Sequence, residues 1–240
     1  MGKFLQLFKQ TITYGIATVF PRIISVILVR VHTDKSVISE VSEFGTLSLI
    51  FSYIILFNVI LSYGLETSFF RFYNKEKNKK DVLNTAAVSI LISSFLFASI
   101  FSIFKINISN FTGISTGYLS IIVWILVVDA LTVIPFAYLR LKGSAIKYSV
   151  VKIVNVIIYF SLNIFLLIFL KDLIHSYEIF ESIYVENYEV AYIFIANLIA
   201  SISSLLLLLP FYFEINYKAN IELLKSCLLY TSPSPRDKRL

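Results

Sequence analysis

Two charged side chains lie deep inside hydrophobic segments of this sequence. Arg22 is thirteen residues into the stretch of residues 9–31. At a rise of 1.5 Å per residue it lies about 20 Å along a helix, near the middle of a hydrocarbon core about 30 Å thick. Asp129 is eleven residues into a later stretch that starts at Tyr118, and therefore lies at a similar depth. Because an ion facing lipid is costly, we expect both side chains to face a bundle interior or a water-filled cavity.

The neighbours of Arg22 support this expectation. Polar and small residues recur around it at spacings of three and four, which places them on one face of a helix. These residues are Thr11, Gly15, Thr18, Arg22 and Ser25. The other faces carry Ile, Val, Leu and Phe. The pattern predicts a lipid-facing helix with one polar stripe turned towards a cavity or a tight helix contact.

Asp129 forms a polar patch with Thr132 beside Pro135. One interpretation is a buried ion pair between Asp129 and Arg22, the basic residue at a similar depth. The competing interpretation is a substrate or cation site that uses one of the two. The interpretations are compatible, because an ion pair that opens and closes is one route to alternating states.

A second polar stripe lies in the fifth hydrophobic segment. Its members are spaced by three and four residues and are Lys152, Asn155, Tyr159 and Asn163. A membrane helix with such a stripe packs it inwards. Together with Arg22 and Asp129, these residues form the predicted substrate cavity.

Composition places the chain among polytopic helical membrane proteins. Of its 240 residues 58% are hydrophobic and 15% are charged, and the mean hydropathy is +0.81, which soluble domains rarely reach. Hydropathy predicts an all-α protein with six transmembrane helices at about residues 9–31, 46–70, 82–104, 118–140, 148–170 and 190–213. An interfacial lead-in of residues 1–8 precedes this bundle of residues 9–226. The longest connection, residues 171–189, leaves no room for a soluble catalytic domain, so we do not expect an enzyme.

The distribution of charge predicts how the chain is oriented in the membrane. It does not indicate a nucleic-acid partner. Most of the Lys and Arg residues behind the formal charge of +6 lie in short loops on the N-terminal side of the predicted bundle. The opposite side holds the acidic connection 171–189, so by the positive-inside rule both ends of the chain are cytoplasmic. The single cysteine, Cys227, excludes an internal disulfide, and the histidines His32 and His175 lie in separate loops without ligand spacing. We therefore expect no metal and no cofactor.

Three charged residues define a motif at the cytoplasmic edge of the bundle. Glu66 and Arg71 lie in residues 64–72, which end the second span, and Arg140 opens a short basic turn after the fourth span. The alternative is a plain interfacial anchor in which a nearby Lys or Arg neutralises Glu66.

Three motifs together resemble a known family. They are Gly-Leu-Glu-Thr-x-Phe-Phe-Arg-Phe at residues 64–72, Leu-Arg-Leu-Lys-Gly-x-Ala at residues 139–145, and the pair Pro21 and Arg22. In their order and spacing, the sequence from Phe4 to about Ser226 resembles the polysaccharide-biosynthesis flippases of the O-antigen and teichoic-acid type. These belong to the multidrug/oligosaccharidyl-lipid/polysaccharide exporter superfamily.

The resemblance implies a function and a set of partners. Members look like two bundles of six or more helices that form a V around a cationic cavity, and this chain would supply the first bundle. The implied partners are the lipid bilayer, a C-terminal bundle missing from this chain, and an oligosaccharide carried on undecaprenyl diphosphate. The implied activity is transport of that oligosaccharide across the bacterial inner membrane, for lipopolysaccharide or another surface polysaccharide. Arg22 and Lys152 would supply the cations that a diphosphate needs.

Two other functions compete with this one. A drug or cation antiporter of the same superfamily would favour carboxylates over cations within the spans, where Asp129 is the only deep carboxylate. A membrane-embedded glycan polymerase or glycosyltransferase would need a large external loop to hold acid and base residues around a sugar. The acidic connection 171–189 has several Glu residues but no partner domain.

The end of the chain differs from the rest in composition. The stretch CLLYTSPSPRD at residues 227–237 resembles an in-frame translation of a transposon-end sequencing adapter. We therefore expect residues 227–240 to be a disordered, non-native tail, and the chain to be an N-terminal fragment of a longer protein. The alternative is a genuine Pro-Ser tail in the cytoplasm.

Overall fold

The protein is all-α in the part of the chain that the structure describes. The computed structural model describes residues 2–34, 37–38, 41–170, 173, 184–185 and 188–229. The helices are α1 (Gly2–His32), α2 (Val41–Ser62), α3 (Leu65–Lys75), α4 (Lys79–Thr112), α5 (Thr116–Leu141), α6 (Ala145–Ile164), α7 (Glu189–Phe213) and α8 (Ile221–Leu229). A π-helical turn, Phe165–Phe169, continues α6.

Six segments are long and apolar enough to cross a membrane. They are Phe8–His32, Ser42–Lys75, Lys79–Thr112, Thr116–Leu141, Ala145–Phe169 and Glu189–Phe213. The predicted fold class and the predicted number of spans are therefore confirmed, and the chain is a multi-pass membrane protein. The third span is longer than predicted, because α4 continues past residue 104 to Thr112.

The second span is broken, which the sequence did not predict. Tyr63 and Gly64 separate α2 from α3 and have φ angles of 31° and 67°. Gly64 adopts this left-handed conformation without strain, whereas Tyr63 carries a side chain that disfavours it. The Tyr63 hydroxyl and the Ser89 hydroxyl of α4 lie 2.6 Å apart and form a hydrogen bond that holds the break in place.

α5 is the central helix of the bundle. It packs against α2, α3, α4, α6 and α7, whereas α1 lies at the periphery and packs along α6. In the most hydrophobic part of α5 72% of the residues are buried, compared with 11% for α1. The helix runs on through Pro135, so that proline does not break the span. Side chains on α5 are therefore the ones that most other helices can reach.

α8 changes the expected boundary of the folded chain. The sequence placed the end of native structure at Ser226, but α8 continues to Leu229 and Cys227 is 4% exposed. α8 packs against α3 and α4, which accounts for this burial. The expected disorder from residue 230 onwards lies outside the described residues.

Cys227 provides a test of this packing. Burial raises the pKa of its thiol from 9.0 to about 11, because the thiolate is the poorly solvated form. Since only the thiolate reacts, iodoacetamide at neutral pH should label it about 100-fold more slowly than an ordinary thiol, and labelling should accelerate as the pH approaches 11. Mass spectrometry measures the rate. The control is Lys225→Cys in a Cys227→Ser background, an exposed position of α8 that should react at the ordinary rate. Equal rates would mean that α8 does not dock.

Candidate functional site

A polar cavity of about 540 Å³ lies within the bundle. The lining residues come from α2, α3, α5, α6 and α7, and α2, α3 and α6 all pack on α5. The charged and polar side chains that line it are Asn58, Ser62, Glu66, Asp129, Thr132, Arg140, Tyr148, Lys152, Asn155, Asn197, Ser201 and Ser204. Two carboxylates and two cations among them give the lining a balanced formal charge. We name this space the central cavity.

The Asp129 carboxylate connects three helices. The Ser201 hydroxyl of α7 donates to its Oδ1 at 2.6 Å, and the Asn58 amide of α2 donates to its Oδ2 at 3.3 Å. Both partners are uncharged. The ion pair between Asp129 and Arg22, one of the two sequence interpretations, is therefore not formed, because neutral donors from neighbouring helices satisfy the carboxylate.

Lys152 and Asn155 line the same cavity from α6. The Lys152 Nζ lies 4.4 Å from the centre of the Phe136 ring, so a cation–π contact positions it. Among the described residues no carboxylate lies within ion-pairing distance of this ammonium group. Lys152 is thus a half-buried cation that is free to bind an anion entering the cavity.

Glu66 and Arg140 form an ion pair across α3 and α5 at one end of the cavity. The Arg140 guanidinium also lies 5.3 Å from the Phe70 ring centre and 5.7 Å from that of Tyr148. The structure thus brings together two members of the predicted edge motif. Arg71 does not join them, because it is exposed on α3 and outside the cavity lining.

Tyr14 extends this cluster to α1, and its part in the site was missed in the sequence. Its ring packs edge-on against Tyr148 with centres 5.3 Å apart. The Tyr14 hydroxyl and the Arg140 Nε are buried, and neither has a hydrogen-bond partner among the described residues.

Two other missed residues did carry a sequence signal. Tyr148 lies four residues before Lys152, and Asn58 lies four residues before Ser62. Residues four apart share a face of a helix, so Tyr148 extends the stripe that holds Lys152, and Asn58 lies on the same face as Ser62.

A second space of about 310 Å³, the outer groove, lies between α1, α2, α6 and α7. Ser25, Val29 and His32 of α1 line it, together with Tyr159 of α6. Asn197 lines both the outer groove and the central cavity, so the two spaces adjoin. Tyr159 is therefore placed in the groove and not in the central cavity.

Asn163 does not line either space. It is fully buried, its Oδ1 lies 3.0 Å from the His32 Nε2, and its Nδ2 donates to the Tyr159 carbonyl at 2.8 Å. The assignment of Asn163 to the substrate cavity is corrected accordingly. His32 is also not in a loop, since it is the last residue of α1 and is buried. The pair ties α1 to α6.

We expect this pair to stabilise the bundle. Asn163→Leu or His32→Leu alone should lower stability by about 1 kcal/mol, because each leaves a buried polar partner unsatisfied. The double substitution should cost less than the sum of the two. Thermal unfolding in detergent measures the three variants, and strict additivity would show that the two side chains do not interact.

Arg22 is exposed on α1 and lines none of these spaces. Ser25 and Val29, three and seven residues further on, do line the outer groove. Residues at these spacings share a helix face, so Arg22 lies on the side of α1 that adjoins the groove. A role for Arg22 in binding stays a prediction.

The site offers hydrogen bonds, the Glu66–Arg140 ion pair and two further charged side chains, Asp129 and Lys152, inside an apolar bundle. The described residues contain no group of three or more His, Cys, Asp or Glu that would hold a metal ion. Comparisons with protein-family models, with curated proteins and with solved structures found no match.

Proposed function

We propose that this chain is the substrate-binding bundle of a transporter that moves a lipid-linked oligosaccharide across the bacterial inner membrane. The observation that carries the proposal is the central cavity of about 540 Å³. Charged and amide side chains are energetically costly within a membrane. They are therefore rare there, and where they occur they usually mark a functional site. A cavity lined by them provides a polar compartment between two faces of a bilayer.

The lining chemistry suits a sugar attached to a phosphate. Asn58, Asn155 and Asn197 offer amides that both donate and accept hydrogen bonds, as sugar hydroxyls do. Lys152 supplies a cation for a phosphate group, because no carboxylate among the described residues pairs with it. Arg22 lies on the side of α1 that adjoins the outer groove. The polyprenyl tail would stay in the bilayer, outside the cavity.

The broken second span supplies a place for movement. α3 carries Glu66 and joins α2 through the left-handed residues Tyr63 and Gly64. A small rotation of α3 at this break would separate Glu66 from Arg140 and widen that end of the cavity. Hinges of this kind absorb a change of backbone angles in a few residues. Opening of this ion pair would thus admit the substrate from the cytoplasm into the central cavity, and its closing would shut that end.

A second bundle completes the transporter in this proposal. α2 and α6 both line the central cavity and both pack on α5. The C-terminal bundle implied by the family resemblance would cover the open side of this cavity. The cavity would then open to one side of the membrane at a time.

A binding measurement with the full chain tests this function. The probe is a short-chain polyprenyl diphosphate with and without an attached oligosaccharide, and affinity is measured by native mass spectrometry. We expect the glycosylated form to bind more tightly, and Lys152→Gln to weaken binding about tenfold through loss of one charged hydrogen bond. Lys77→Gln, which removes an exposed lysine between α3 and α4 that lies outside the central cavity, is the matched control. Equal affinity for both probes would contradict an oligosaccharide site.

A cation or drug antiporter is the second candidate, and Asp129 is the observation that favours it. Its carboxylate, with the Ser201 hydroxyl at 2.6 Å, offers oxygen ligands inside the cavity. A lipophilic cation as the probe distinguishes the two functions. In an antiporter the cation binds and Asp129→Asn abolishes its binding, whereas in an oligosaccharide transporter Lys152→Gln has the larger effect.

The orientation in this proposal is testable by itself. Because Lys and Arg concentrate in the loops on the N-terminal side, both ends of the chain should be cytoplasmic. Reporter fusions should read out, in, out, in, out and in after Ser36, Lys77, Gly113, Gly143, Tyr177 and Lys218; Gly113 is the first residue after α4. Exchanged readings at two adjacent sites would overturn the orientation.

A further inference from the structure

A separate cavity of about 290 Å³ lies where α1 meets the turn between α5 and α6. Lys9, Gln10 and Thr13 line it from α1, and Gly143, Ser144 and Lys147 line it from the turn and the start of α6. None of these residues lines the central cavity or the outer groove. The proposed transport function makes no use of it.

The charged side chains that line this cavity in the described part of the chain are all positive. Lys9 and Lys147 are both exposed, and neither ammonium group has a hydrogen-bond or ion-pair partner among the described residues. None of the described residues that line the cavity carries a carboxylate. Two unpaired cations that border one space attract an anion of matching size.

Direct contacts hold the two sides of the cavity together. The Gln10 amide donates to the Gly143 carbonyl at 3.2 Å, and the Ser149 hydroxyl donates to the Thr13 carbonyl at 3.0 Å. Gly143 has a φ of 65°, and a side chain there would meet the Gln10 amide nitrogen at 3.3 Å. The cavity is therefore formed before any ligand arrives.

Its position corresponds to the depth of lipid headgroups. The candidate spans Phe8–His32 and Ala145–Phe169 both begin at this cavity. Its lining also includes Ile146, which is 64% exposed and offers apolar surface beside the two lysines. A ligand with a phosphate and a hydrocarbon chain matches both features.

We propose that this cavity binds the phosphate of an anionic phospholipid, with Lys9 and Lys147 as its cationic contacts. Basic pockets between transmembrane helices at the membrane surface bind such headgroups. The lipid would link the first helix to the turn after α5 and stabilise the peripheral α1 against α6. This inference does not depend on what the central cavity transports.

The test uses the full chain in mild detergent with equimolar phosphatidylglycerol and phosphatidylcholine, and native mass spectrometry counts the lipid retained. We expect preference for phosphatidylglycerol. Lys9→Gln with Lys147→Gln should weaken its retention about 25-fold, because each lysine near a lipid phosphate contributes roughly fivefold. Lys9→Arg with Lys147→Arg keeps both charges and should retain the lipid.

Two controls distinguish a lipid site in this cavity from a general effect of charge and from a site for free phosphate. Lys77→Gln with Lys142→Gln removes the same charge at the same end of the bundle, but neither lysine lines the cavity. This control should keep its phosphatidylglycerol, and millimolar inorganic phosphate should not displace the lipid. Retention by the Lys9 and Lys147 variant, an equal loss in the control, or displacement by inorganic phosphate would each overturn the proposal.

Discussion

Asp129→Ala should destabilise the bundle by about 2–4 kcal/mol, the largest effect that we expect from one substitution in the cavity. The change leaves the Ser201 hydroxyl and the Asn58 amide without the acceptor that they share. It also removes the side chain at which α2, α5 and α7 meet. Unfolding in detergent with increasing denaturant measures the difference.

Two further variants identify the cause of this loss. Ser201→Ala combined with Asp129→Ala should cost less than the sum of the single changes, because the double variant leaves no unpaired hydroxyl. Thr132→Val is the control, since among the described residues the Thr132 hydroxyl donates only to the backbone carbonyl of Asp129 in its own helix, at 2.7 Å. If Thr132→Val costs as much as Asp129→Ala, the carboxylate does not connect the helices.

Exchange of the charges of Glu66 and Arg140 is the second experiment with a large expected effect. Glu66→Arg or Arg140→Glu alone places like charges together and should lower stability by about 1–2 kcal/mol, a value limited by the partial exposure of both side chains. Glu66→Arg with Arg140→Glu should recover part of the loss. Recovery is incomplete because the contacts of the guanidinium with Phe70 and Tyr148 are not rebuilt.

The same variants report on access to the cavity. If the ion pair closes one end, each single change should raise the labelling rate of a cysteine introduced at Ser62 in a Cys227→Ser background, because Ser62 lines the cavity. The double exchange should return the rate towards that of the parent. Lys77→Glu, an exposed charge reversal after α3, should leave both stability and labelling unchanged. Unchanged labelling in the single variants would exclude a closing role for the pair.

Both experiments depend on contacts between residues far apart in sequence. Asn58 and Ser201 are 71 and 72 residues from Asp129, and Glu66 is 74 residues from Arg140. The sequence indicated that Asp129 needed a partner. Arg22 was one candidate, because the two residues lie at a similar depth in the membrane. Depth is a single coordinate, however, and a contact also requires that two helices are neighbours and face each other. α1 packs along α6 and not along α5, so Arg22 does not reach Asp129.

The sequence by itself determined the properties that depend only on the residues of one helix. The hydropathy of a window of residues is such a property, and it predicted six spans with bounds close to those found. Helical spacing is another, and it placed Lys152 and Asn155 on one face, where both line the central cavity. Even there Asn163 was assigned to the cavity, because periodicity does not show that the far end of the stripe meets His32.

The tertiary structure alone decided which stripes face each other. It joined Glu66 to Arg140, gave Asp129 two neutral partners, and broke the second span at Tyr63 and Gly64. These outcomes depend on the rotation of each helix about its axis and on the register between neighbours. Packing against the central α5 fixes both quantities, and no window of sequence within one helix contains them.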